Sequence, residues 1–104
     1  MKFKNMFSPI QIGPMTVKNR FVVPPMGNNF ANSDGTWSDE SVAYYGERAK
    51  GQFGLITIEA TVVHKGAKGG PKKPCLYDDN SIESLKKITD ACHEEGAKVS
   101  IQLQ

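Results

Sequence analysis

Apolar and polar residues alternate along "SPIQIGPMTVKNR", where Ile10 and Ile12 are followed, across Gly13-Pro14, by Met15 and Val17. Alternation turns one face toward a core, and Gly-Pro supplies turn chemistry, so this stretch predicts a small β-hairpin. "FVV", residues 21–23, is apolar without alternation, which predicts a strand buried on both faces, as in parallel sheets. The period then lengthens. "WSDESVAYYGERAKG" sets Val42, Tyr45 and Ala49 on one helical face. Ser38 is its N-cap, Asp39 and Glu40 its acidic first turn, Trp37 and Val42 its hydrophobic staple, and Gly51 its stop.

"FGLITIEATVV" returns to β-branched residues and is interrupted by one carboxylate, Glu59. A loop rich in Gly, Lys and Pro, "HKGAKGGPKKP", leads into a second helical pattern. There Asp78 is the expected N-cap, Tyr77 and Ile82 the staple, Ile82, Leu85, Ile88 and Cys92 the apolar face, and Gly96 the C-cap. "AKVSIQLQ" alternates again, with Val99, Ile101 and Leu103 apolar, and predicts a third strand. Strands alternating with helices of this length imply βαβ crossovers and a parallel sheet, so the fold class is α/β. A chain of 104 residues fits one domain, 1–104.

Composition narrows the partners. With 38% hydrophobic and 23% charged residues the chain reads as globular, and a net charge of +2 gives no ground for a nucleic-acid partner. The uncharged run over residues 21–33 is too short and too polar to span a bilayer, so no membrane partner is expected. "MKFKNMF" lacks the apolar region of a secretory signal, and a cytoplasmic location is the expectation. Cys75 and Cys92 match no metal spacing and read as reduced thiols, Cys92 as a core residue.

Ligands of parallel α/β folds bind at the carboxyl ends of the strands, which here are "PPMGNN", "EATVVHK" and "QLQ". Pro24 and Pro25 cannot donate to a ladder and fix the backbone that follows; Gly27 lets that backbone approach a flat ligand. The plainer account is that the prolines end a strand and Met26 plugs the core. Glu59, a carboxylate in an apolar run, needs a partner, for which Arg20 or Arg48 is the structural candidate. Ala60 leaves its backbone N–H accessible. Gln102 offers donor and acceptor together, suited to the edge of a heterocycle, or simply to solvent.

Other motifs fail. "GAKGGPKK" lacks the Gly-Lys-Ser/Thr ending of a phosphate loop, and no G-x-G-x-x-G follows a strand. His64 falls on the ligand-binding side by topology, whereas His93 reads as solvated near a helix end. Lys65, Lys68, Lys72 and Lys73 serve solubility, or else meet the phosphates of a nucleotide or coenzyme A substrate.

Taken together, "FSPIQIGPMTVKNRFVVPPM", "YYGERAKGQFGLITIEATVV" and "IQLQ" resemble the amino-terminal part of the old yellow enzyme family, whose FMN-dependent members include 2,4-dienoyl-CoA reductases and clostridial enoate reductases. The resemblance implies an amino-terminal hairpin and the first β-α-β-α-β units of a (β/α)8 barrel. It places Pro25, Met26 and Gly27 against the flavin ring, the Ala60 backbone toward its pyrimidine side, and the Gln102 amide at the same edge. It implies FMN as cofactor, NADH or NADPH as hydride donor, and an activated alkene or enoyl-CoA as substrate. Relatives often carry Cys, Thr or His where this chain has Gly27, so tuning of the flavin by that side chain is absent or comes from elsewhere. The family continues past this point with a His-x-Gly-Arg segment and five more βα units. The 104 residues are therefore expected to be inactive alone and to self-associate through open sheet edges. The alternative is a non-catalytic α/β module that self-associates.

Overall fold

The computed structural model describes residues 2–67 and 70–104. The strands and helices follow in the predicted order: β1 (Ile10–Ile12), β2 (Met15–Val17), β3 (Val22–Val23), α1 (Asp39–Lys50), β4 (Leu55–Thr61), α2 (Ile82–Glu94) and β5 (Lys98–Leu103). β1 and β2 pair antiparallel as a separate hairpin, Ile12 opposite Met15. Gly13, at φ +56°, takes the first central position of its turn, where a hairpin of this length requires positive φ.

β3, β4 and β5 form a parallel sheet in that order. Val23, Ile56 and Ile58 join Tyr45 and Ala49 of α1 and Ile88 and Cys92 of α2 in one core, against which Val99 and Ile101 of β5 also pack. This is the α/β arrangement expected from the period changes. Trp37 is buried in the same core and Val42 packs on it, as the staple requires. Ser38 caps α1 by accepting the Ser41 N–H.

The amino ends of the strands are closed by short polar ties. Lys18 Nζ donates to Gln52 Oε1 at 2.8 Å and to the Glu95 carbonyl at 2.7 Å; Asn19 Nδ2 donates to the Gln52 carbonyl at 2.7 Å. Both helix exits are thereby held to the segment that follows the hairpin. Gly54 lies inside this closure: a Cβ there would stand 2.7 Å from the Asn19 carbonyl oxygen and 2.7 Å from Val17 Cγ1.

Several expectations are corrected. The strand at residues 21–23 shrinks to Val22–Val23, and only Val23 is buried; Val22 is 49% exposed. The helices cover one face of the sheet, and Val22 points to the other. Asp78 caps a 3-10 turn, Asp79–Ser81, rather than α2 itself. At about 100° per residue the buried Ser81 then shares the stripe of Leu85, Ile88 and Cys92. Ile82 falls on its margin and is 58% exposed, so neither the staple nor the first face position holds. Gly51 does end α1, but with φ −70°; the left-handed residue is Gln52, at φ +71°. Glu95 is the C-cap of α2, and Gly96, at φ +81°, is the left-handed residue just after it that turns the chain out of the helix.

Candidate functional site at the carboxyl ends of the parallel strands

The three strand ends lie side by side because the sheet order is β3-β4-β5, but they stop at different heights. Pairing of β3 with β4 ends at Val23↔Ile56, where Pro24 removes the next donor. β4 runs on to Thr61, and its ladder with β5 slips between Ile58 and Thr61, leaving Glu59 and Ala60 outside the regular register. Beyond the slip, the Gln104 N–H donates to the Thr61 carbonyl at 2.8 Å and the Val63 N–H to the Gln104 carbonyl at 3.1 Å. Ala60 and Gln102 are thus brought to neighbouring strand ends, with Ala60 half-buried and Gln102 exposed.

The segment after β3 bends toward β4. Its Asn28 N–H donates to Glu59 Oε2 at 3.2 Å, which ties the residue after Gly27 to the residue before Ala60. Pro25, Met26 and Gly27 are all exposed, Met26 by 46%, so Met26 does not plug the core. The peptide carrying all three residues is pinned from one side and open on the other.

Glu59 is 1% exposed, and the expected arginine partners are elsewhere. Arg48 stacks over the Tyr44 ring at 3.5 Å and donates to the Tyr44 carbonyl, while Arg20 reaches the Pro9 carbonyl. The carboxylate instead meets the Tyr45 hydroxyl, which donates to Glu59 Oε1 at 3.3 Å and accepts the Glu59 N–H at 3.0 Å. Burial raises the Glu59 carboxyl above the usual carboxylate range, against the pull of the Asn28 N–H, the Tyr45 hydroxyl and Lys73. Burial likewise holds the Tyr45 hydroxyl protonated, far above an ordinary tyrosine. Asn28 Nδ2 is buried without a hydrogen-bond partner among the described residues.

These features fit a flat heterocycle. Two positions with little or no side chain, Gly27 and Ala60, flank a slipped ladder. An amide at Gln102 stands beside them, while the Asn28 side chain lies inward against the Glu59 carboxylate. Read from sequence alone, Asn28 has no role, Tyr45 lies on the core face of α1 without a link to Glu59, and Lys73 serves solubility or substrate phosphates. The signal for Tyr45 was present, since a tyrosine on a buried face and a carboxylate in a buried strand each need a partner. His64 is exposed, its Nδ1 accepting the Gly66 N–H, and His93 is exposed as expected. Lys68 lies outside the described residues, which contain no cluster of three or more potential metal ligands. No helix among them is long and apolar enough to cross a membrane.

Solved structures share this fold. The old yellow enzyme of Pichia sp. AKU4542 is 35% identical over 95% of this chain, with a TM-score of 0.89. A 2-naphthoyl-CoA reductase in complex with 2-naphthoyl-CoA is 34% identical over 96%, with a TM-score of 0.92. Morphinone reductase in complex with tetrahydroNAD is 29% identical over 95%, with a TM-score of 0.86. The chain spans 26%, 15% and 26% of those proteins respectively. Its hairpin and three parallel strands correspond to part of the barrel of the old yellow enzymes. The model of the NADH:flavin oxidoreductase / NADH oxidase family matches residues 5–104, and the chain belongs to that family.

Proposed function

We propose that these residues form the first wall of an FMN site in an NAD(P)H-dependent reductase of activated alkenes, as the amino-terminal part of a longer barrel. The observation that supports this reading is that β3, β4 and β5, whose ends carry Gly27, Ala60 and Gln102, are neighbours in the sheet. FMN held by these residues would supply hydride transfer from a nicotinamide to the alkene. The residues of this chain position and shield. Pro25, Met26 and Gly27 present backbone to the ring, Ala60 its peptide group, and Gln102 an amide that donates and accepts along one edge. Glu59 holds the first of these walls in place through the Asn28 N–H. The free thiols of Cys75 and Cys92 suit a cytoplasmic enzyme.

Enoate and enoyl-CoA substrates both suit this reading, and likeness to a structure holding 2-naphthoyl-CoA supports the thioester. Residues 1–104 alone supply one wall of the site and are inactive in this proposal. The test is expression of the complete reading frame, with flavin content measured and NADH and NADPH oxidation followed with an enoate and with its CoA thioester. Bound FMN and alkene-dependent oxidation are expected. A protein without flavin, or alkene turnover by residues 1–104 alone, would overturn the reading.

A second reading, a non-catalytic module that self-associates, is favoured by one observation. The sheet face carrying Val22 has no helices over it, and Val22 and Leu103 are exposed. The same expression experiment separates the two, since the module needs no flavin.

A further inference from the structure

The loop before α2 is pinned where it passes the strand ends. Val62 N–H donates to the Pro74 carbonyl at 2.9 Å, Leu76 N–H to the Val62 carbonyl at 2.8 Å, and Cys75 N–H to the Gly35 carbonyl at 2.8 Å. Pro74 and Cys75 are buried. Lys73, the residue before this anchored stretch, is half-buried, and its side chain runs to the end of β3. A Cβ built on Gly27 would lie 3.6 Å from Lys73 Nζ.

This ammonium has no hydrogen bond or ion pair among the described residues. Glu59 is near enough to feel its charge but forms no salt bridge with it. Its backbone is fixed by the anchored stretch that follows, and among the described residues its three donors have no protein partner, so the ammonium is open to an incoming acceptor. The open space beside Gly27 is where that partner would come.

We propose that Lys73 is the residue that tunes the ring bound against Gly27, its ammonium standing where a side chain of residue 27 would otherwise act and favouring the negative charge the ring gains on reduction. The proposal rests on the FMN reading above. A fixed positive charge beside a redox ring stabilises the reduced form more than the oxidised one, so it raises the reduction potential. Gly27 and Lys73 then act as a pair: the glycine leaves the room and the lysine supplies the charge.

The test uses the flavin-loaded protein from the complete reading frame and compares the midpoint potential of the wild type with Lys73→Met, Lys73→Gln and Lys73→Arg. Met and Gln are expected to disfavour reduction at least tenfold, about 30 mV more negative for a two-electron couple, with Arg close to wild type. Should the Met variant lose its flavin, the Gln variant reads the same quantity. An unmoved potential in the Gln variant overturns the proposal. A raised KM for anionic alkenes with an unmoved potential does so too, by making Lys73 a substrate contact. Absence of flavin from the wild type overturns the FMN reading and this inference with it, whereas bound flavin with an unmoved potential overturns this inference alone.

Discussion

The Tyr45 hydroxyl touches Glu59 twice, accepting its backbone N–H at 3.0 Å and donating to its carboxylate at 3.3 Å. One side chain of α1 thus fixes both the path of β4 and the carboxylate that holds Asn28. Removing that hydroxyl with Tyr45→Phe leaves a buried N–H unpaired, which costs about 1–3 kcal/mol. A lower urea midpoint with an unchanged slope is the expected result. Glu59→Ala is expected to cost more, because it removes the acceptor of both the Asn28 N–H and the Tyr45 O–H and leaves a cavity; equal midpoints for wild type and Tyr45→Phe would show that the contact contributes nothing.

The buried carboxyl also gives stability a pH dependence. Its affinity for a proton is higher in the folded chain than in the unfolded one, so the folded state holds the extra proton as pH rises from 4.5. The contribution is complete below 4.5 and is lost as pH passes through the raised folded value. Glu59→Gln, which cannot ionise, is expected to flatten that part of the stability profile. Parallel profiles for the two proteins would exclude Glu59 as its source.

Gly54→Ala tests the closure at the amino ends of the strands. The added methyl would lie 2.7 Å from the Asn19 carbonyl oxygen, so backbone must move to admit it. A loss of about 1–3 kcal/mol is expected from such overpacking, measured by denaturant unfolding, and an unchanged midpoint would mean that the junction yields freely.

Cys92 lies in the core between the helices, and burial pushes its thiol up to about 11. It is expected to resist a thiol reagent at neutral pH in the folded protein and to react fully once unfolded. Because the folded thiol keeps its proton beyond its ordinary value of 9.0, its contribution to stability falls between 9.0 and about 11. Cys92→Ala is expected to remove this alkaline loss, and rapid native labelling of Cys92 would contradict its placement.

The 104-residue chain is expected to self-associate. β3 and β5 are the outer strands of the sheet, and unpaired strand edges template further pairing. Sedimentation across a concentration series should show growth beyond the monomer; a monomer throughout would contradict the expectation.

The order of elements was legible because period is a local property. Ile10 to Val17 alternate and do pair as a hairpin, although only Val17 is buried and Ile12 is 47% exposed; Val42, Tyr45 and Ala49 recur at helical spacing and face the core. The failures are places where a neighbour decides. Ile82 depended on whether Asp78 caps a helix or a 3-10 turn, which shifts every later residue around the axis. Val22 depended on whether a second layer covers its side of the sheet. Glu59 announced that it needed a partner but not which, and the tyrosine that answers lies 14 positions away. Of the site, Pro25, Gly27, Ala60 and Gln102 could be placed at strand ends by topology alone. The Asn28 tether and the reach of Lys73 could not, because both belong to loops whose course is set by long-range hydrogen bonds.

Gly54 and Gly27 are two absences of a side chain with opposite meanings. At position 54 the vacated volume is taken by the protein itself, so a survey of all single substitutions should find almost every change there punished in yield of folded chain. At position 27 an added Cβ meets only the tip of a lysine, at an ordinary contact distance. Substitutions there should pass a folding screen and be filtered only by what the protein is asked to hold. The two glycines thereby mark which end of the sheet is under architectural selection and which is free to change its chemistry.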